Sequence, residues 1–195
     1  MLRSPALRFA MSDSELGTRL VERALLEGEF VLRSGRRSTW YLDKYRFETE
    51  PDLLRTLGER IADAVRECEP DANRLAGPAL GAVALAASAS MASGLPFIIV
   101  RGATKEYGTA KRIEGSFEPG ELVCLVEDVV TSGGALAEAV SAVRQEGLVV
   151  RNAVCVVDRE EGGSDALARL GVRLRPLFRA EELLELHKVA ARGHG

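Results

Sequence analysis

Apolar positions along the chain fall into two textures that meet near Arg74. Before it the spacing is mostly helical. Ser12 to Glu15 reads S-x-x-E, the pattern of a capping box, and Leu16, Leu20, Ala24 and Leu25 follow on one face. This predicts a helix from Ser12 to near Gly28. Phe30, Val31 and Leu32, then Thr39, Trp40, Tyr41 and Leu42, flank the turn Ser34-Gly35-Arg36-Arg37. Aromatic and β-branched residues around a glycine turn predict a hairpin. Pro51 then opens a second helix, with Leu54, Leu57, Ile61 and Val65 on one stripe.

Beyond Arg74, short apolar runs alternate with helical segments. Strands are expected at Leu75-Ala76, 97–100, 122–126 and 149–157, and helices at 82–93 and 135–146, the latter closed by Gly147. A last unit, 166–170 followed by 172–177, precedes a C-terminal helix. Near-continuous apolar strands separated by helices predict an α/β fold with a mostly parallel sheet covered on both faces. There are no repeats. One stretch breaks the rhythm: residues 101–121 are polar, glycine-containing and rich in both charge signs. A structureless segment of that length inside a compact domain is a functional lid or a disordered insert, or, more plainly, a solvated surface hairpin.

Composition narrows the classes. The chain has 195 residues, enough for one substantial α/β domain, with 46% apolar and 28% charged residues. A formal net charge of -3 disfavours nucleic acid as the main partner. The segment 1–10 has arginines but no apolar core of a signal peptide, and no run suits a membrane span. With a second methionine at Met11, residues 1–11 are expected to be a disordered extension. Cys68, Cys124 and Cys155 form no CxxC pair, and His187 and His194 both lie near the C-terminus. Zinc sites and histidine-activated nucleophiles are thereby disfavoured. The cysteines read as small buried hydrophobes, and reduced thiols fit a cytoplasmic address.

The chemistry concentrates in residues 122–134, LVCLVEDVVTSGG, which lead into the helix AEAVSAVRQEG. An apolar strand ends in two carboxylates, Glu127 and Asp128; Thr131, Ser132, Gly133 and Gly134 follow. Hydroxyls and glycine backbone at a helix N-terminus offer N–H donors and the positive end of a dipole to a phosphate. The carboxylates cannot face that phosphate comfortably and suit the hydroxyls of a sugar instead. The plainer alternative is a strand–turn–helix with an ordinary cap. Neither a Walker A loop nor G-x-G-x-x-G is present, which counts against ATP hydrolysis and dinucleotide redox chemistry.

VEDVVTSGG resembles the phosphoribosyl pyrophosphate (PRPP) signature of the type I phosphoribosyltransferases. FVLRSGRRSTWYLDKY resembles the hood of the orotate phosphoribosyltransferases, RGATKEYGTAKRIEG their mobile catalytic loop, and VCVVDREEGG the segment that holds the orotate carboxylate. LAGPALGAVALA looks like the pyrophosphate-binding turn and the helix after it. The resemblance implies one phosphoribosyltransferase domain over 12–195, with a hood over about 12–48, a core over 49–195 and a lid over about 101–118. It implies that Glu127 and Asp128 hold the ribose hydroxyls. Val130, Thr131, Ser132, Gly133 and Gly134 would cradle the 5-phosphate, with Val129 and Ala135 beside them. Arg33, Arg101, Lys105 and Tyr107 would reach PRPP, and Thr131 and Arg159 would contact orotate. By the same resemblance, Lys105, Arg101 and Asp128 would carry the catalytic roles. Mg²⁺ is implied as cofactor, held by substrate and water rather than by protein ligands, and a homodimer with shared sites is implied as the assembly.

Two positions depart from the family loop, which commonly reads R-K-x-x-K-x-H-G: Gly102 stands for a lysine and Tyr107 for a histidine. Lys111 and Arg112 lie close by in sequence as replacement charges. From the residues alone, Arg159 is either a ligand contact or a strand-end ion pair with Asp158 or Glu160. Trp40 and Tyr41 are expected to pack the hood. A phosphoribosyltransferase for another base, or a non-catalytic PRPP or nucleotide sensor, remain the alternative readings.

Overall fold

The structure is a computed structural model that describes residues 11–31, 35, 37–102 and 112–192. Helix α1 (Asp13–Ala24) starts as its sequence predicts: the Ser12 hydroxyl accepts from the Glu15 N–H, and the Glu15 side chain accepts from the Ser12 N–H. It stops four residues earlier than the expected end near Gly28. Leu25 and Leu26 are taken into strand β1 (Leu25–Val31), paired with Leu42 and Tyr41 of β2 (Arg37–Leu42). The ladder supplies the hydrogen bonds that a longer helix would have made. Irregular pairing between Glu27 and Phe30 absorbs Gly28. The five-residue helix α2 (Lys44–Glu48), which no periodicity announced, leads to α3 (Pro51–Cys68) with proline in its first turn.

The remaining strands are β3 (Arg74–Pro78), β4 (Phe97–Val100), β5 (Ile113–Glu114), β6 (Leu122–Val130), β7 (Val149–Asp158) and β8 (Arg173–Arg179). They form one six-stranded sheet in the order β5-β4-β3-β6-β7-β8, parallel except for β5, which runs antiparallel to β4. The segment expected to be structureless therefore contains a short edge strand, Ile113 and Glu114 pairing with Val100 and Ile99. Helices α4 (Ala82–Ser93), α5 (Gly134–Gln145) and α6 (Gly163–Ala168) make the parallel crossovers, and α7 (Ala180–Arg192) closes the chain.

Alternation along β6 explains why its sequence is apolar throughout. Cys124 and Val126 join a core with residues of α1, α3 and α4; Val123 and Leu125 join a second core with residues of α5. Both faces of the sheet are therefore dry, as parallel sheets require. From β3 the chain winds outward through α4 to β4; from β6 it winds the other way to β7 and β8. The carboxyl ends of β3 and β6 lie at that reversal, the place where open α/β sheets bind ligands.

Candidate active site

A cleft of about 730 Å³ opens at the end of β6. Its walls include Glu127, Asp128, Val129, Val130, Thr131, Ser132, Gly133, Gly134 and Ala135, with Arg159 and Glu161 from the turn after β7. Val31, Tyr41, Leu42 and Lys44, at the end of the two-stranded sheet and the start of α2, form the facing side.

The strand does not end at the acids, as its sequence suggested. Pairing with β7 continues to Val130, opposite Asp158, so Glu127 and Asp128 sit within the ladder and are buried. Successive residues of a strand face opposite ways. Asp128 thus turns to the side of α2, where Lys44 Nζ donates to its Oδ2 at 2.6 Å. Gly81, just before α4, lies so close that an added Cβ would sit 1.9 Å from the same oxygen. Only a residue without a side chain admits Asp128 there. Glu127 Oε1 accepts from the Asp128 N–H at 3.1 Å. Burial, reinforced by the Asp128 charge, pushes the Glu127 carboxyl up to about 8. For Lys44, burial opposes the charged form, but the hydrogen bond and charge of Asp128, with Glu127 and Glu48 beyond, raise its pKa overall.

The turn after Val130 takes three residues. Gly133 adopts φ +78°, and a Cβ on it would meet Gly163 Cα at 3.0 Å. Glycine is required there on both counts. No side chain caps α5 among the described residues, so its first N–H groups face the cleft without intrahelical acceptors. Thr131 and Ser132 are exposed beside them.

Arg159 follows β7 directly; its N–H donates to the Val130 carbonyl at 2.8 Å. Its nearly buried side chain pairs with Glu161 at 3.2 Å, and its guanidinium lies 4.2 Å from the centroid of the Trp40 ring. The carboxylates expected as its partners are engaged elsewhere. Asp158 accepts from the Glu160 N–H, and Glu160 pairs with Arg179. Trp40 packs against the core as expected of the hood, and its ring is also the platform of this arginine.

Arg101 stands at the end of β4, paired with Glu114 at 3.1 Å, and is not part of the cleft wall. Arg33, Lys105, Tyr107 and Lys111 lie outside the described residues. Sequence reasoning missed Lys44 and Glu48, although Lys44 directly follows the Y-L-D of the quoted hairpin motif. Among the described residues, no group of three or more His, Cys, Asp or Glu side chains is arranged to hold a metal ion, and no helix is long and apolar enough to cross a membrane. Cys124 and Cys155 are buried and all three cysteines are free.

Acids on a central strand, a glycine turn and an uncapped helix start, set at the reversal point of a parallel sheet, are the arrangement of the type I phosphoribosyltransferases, and the chain is of that class. Comparison with known proteins narrows it. No family model matches the chain. The orotate phosphoribosyltransferase of Methanocella arvoryzae is 48% identical over 88% of this chain and 97% of its own. The crystal structure of the orotate phosphoribosyltransferase from Aeropyrum pernix superposes with a TM-score of 0.80 at 32% identity, over 92% of this chain and 99% of that one. The Mycobacterium tuberculosis orotate phosphoribosyltransferase in complex with PRPP superposes with a TM-score of 0.74 at 28% identity, over 88% of this chain and 98% of that one. The chain belongs to the orotate phosphoribosyltransferase family.

Proposed function

We propose that the cleft at the end of β6 transfers ribose 5-phosphate from PRPP to orotate, forming orotidine 5′-phosphate and releasing pyrophosphate, a step of pyrimidine nucleotide synthesis. One observation carries this assignment of roles: two buried acids and an uncapped helix start share one cleft wall. Glu127 and Asp128 accept hydrogen bonds from the ribose hydroxyls. The turn 131–133 and the first N–H groups of α5 take the 5-phosphate, with Val129, Val130, Gly134 and Ala135 shaping the wall.

Arg159 exchanges Glu161 for the orotate carboxylate while Trp40 keeps its guanidinium flat and oriented. Thr131, which lines the same cleft as Arg159, contacts orotate. A neutral purine would give Arg159 no carboxylate, which favours orotate over other bases.

Breaking the bond from C1′ to the pyrophosphate oxygen leaves positive charge on the sugar and negative charge on the leaving group. The protein's contribution is positioning and electrostatic stabilisation. Arg33, Arg101, Lys105 and Tyr107 are assigned to PRPP from the sequence, with Lys105 and Arg101 neutralising pyrophosphate. Tyr107 and Gly102 leave the lysines and arginines around them to supply the charge. The donor set fits a cation carried in on substrate oxygens and water, since the buried acids are engaged by Lys44 and by backbone N–H groups. Mg²⁺ bound there would lower the charge of the leaving group. We further infer a cytoplasmic homodimer with shared active sites, a hood over 12–48 and a core over 49–195.

The test is the PRPP-dependent loss of orotate absorbance with Mg²⁺, run beside uracil, hypoxanthine and adenine. Orotate should be consumed and the others not; consumption of a purine alone would overturn the assignment. Lys105→Ala should lower kcat by about two to three orders of magnitude with PRPP binding still detectable.

A further inference from the structure

Glu48 is the last residue of α2 and is 4% exposed, yet it is absent from the cleft wall. Its Oε1 is buried and has no hydrogen-bond partner among the described residues. Glu48 stands one helical turn after Lys44 on α2, so its carboxyl shares the side on which Lys44 meets Asp128, which does line the cleft. Two ionised carboxylates offer each other only acceptors, so a hydrogen bond between them needs a proton on one.

The surroundings say which. Asp128 receives the Lys44 ammonium on Oδ2 and the Val129 N–H on Oδ1, so each of its oxygens already accepts a hydrogen bond. Glu48 has neither. Three buried carboxylates, Glu48, Glu127 and Asp128, share this pocket with one described cation, Lys44. The groups acting on Glu48 are Lys44 from its own helix and Asp128 and Glu127 from β6. The buried residues of α1 and α3, which pack around α2, are all apolar or glycine. Burial is the chief cause that pushes the Glu48 carboxyl up to about 8, with Asp128 adding to it and Lys44 opposing.

We propose that Glu48 is a positioning residue for PRPP: a neutral acid that donates its proton to Asp128 from behind the cleft wall and, with Lys44, fixes where Asp128 presents its remaining lone pair. A carboxylate offers about four lone-pair directions. Lys44 and Val129 take two, and Glu48 narrows what remains, so the ribose hydroxyls meet an Asp128 held in one orientation with Glu127 beside it. As pH rises past the Glu48 pKa its proton passes to solvent. The new charge then repels both Asp128 and the polyanionic ligand.

The proposal rests on the reading of Asp128 as the ribose acceptor, and the experiments separate the two. The ¹³C carboxyl resonance of Glu48, assigned by its loss in Glu48→Gln, should sit at the protonated position at neutral pH in the wild-type chain without PRPP. An ionised position overturns the proposal whatever the variants do. In kinetics, Glu48→Gln should keep the KM for PRPP within about threefold of wild type near neutral pH, whereas Glu48→Ala should raise it by about tenfold, roughly 1.4 kcal/mol, with kcat much less affected. The KM of wild type should climb more steeply above the Glu48 pKa than that of Glu48→Gln. A glutamine variant no better than alanine, or one as steep as wild type, overturns it. Asp128→Asn with unchanged PRPP affinity would instead sink the ribose reading, while the resonance position would still report the proton.

Discussion

Arg159 shows how packing can fix the orientation of a single side chain. Its guanidinium is stacked on Trp40, paired with Glu161 and nearly buried, so few of its rotamers remain open. Orienting a planar fork before the ligand arrives lowers the entropy lost on binding. Truncating one member of a buried charged pair costs about 2–5 kcal/mol. Arg159→Ala is therefore expected to raise the KM for orotate by about thirtyfold or more and to leave the KM for PRPP within a factor of about two. Steady-state kinetics with each substrate varied in turn will check this; equal losses for both would remove the carboxylate contact. At this scale Arg159 came from the family resemblance and not from its contacts, whereas Glu127 and Asp128 were legible as a pair because they are consecutive in sequence. Lys44 and Glu48 were not, since the side chains that give them meaning come from β6, 84 residues away in the case of Lys44 and Asp128.

At the scale of elements, the strand β6, its glycine turn and α5 act as one rigid corner. Gly133 is left-handed, and a non-glycine residue there costs about 1–2 kcal/mol before the clash with Gly163 is counted. Gly133→Ala should lower the urea midpoint of unfolding and weaken PRPP binding together. Native stability with native affinity would show that the turn tolerates a side chain. Element ends were the least legible feature. Leu25 carries the right spacing to extend α1, but pairing with Leu42 outcompetes another turn of helix. Ile113 and Glu114 look like part of a polar insert, and become a strand only because β4 offers an open edge.

For the molecule as a whole, the buried acids set a pH dependence of stability. Glu48 and Glu127 titrate near 8 in the fold, against about 4.3 for glutamate in an unfolded chain. The folded state holds their protons more tightly, so their contribution is complete in acid and is lost as pH rises through the folded pKa. Glu121, held low by Arg74, and Glu15, held low by its Ser12 cap, work in the opposite sense and lose their contribution as pH falls. The thermal midpoint should therefore be highest in mildly acidic buffer, a little above the unfolded-state value, fall from there through neutral pH, and level off above about pH 8. Glu127→Gln should reduce this fall when the unfolding transition is followed by circular dichroism. A wild-type midpoint that stays level to that pH would show that these acids are ionised throughout.

The alternation of apolar strands with helices was readable along the chain because burying a parallel sheet on both faces demands it at every strand. The glycine turn was readable too, because glycines, hydroxyls and acids must be consecutive to share one strand–turn–helix. Tertiary structure alone decided the rest: that Asp128 meets Lys44 and Glu48, that Arg159 rests on Trp40, and that Gly81 makes room for a carboxylate. Those contacts join segments distant in sequence, and whether a carboxyl keeps its proton depends on how much water and which charges the packing leaves beside it.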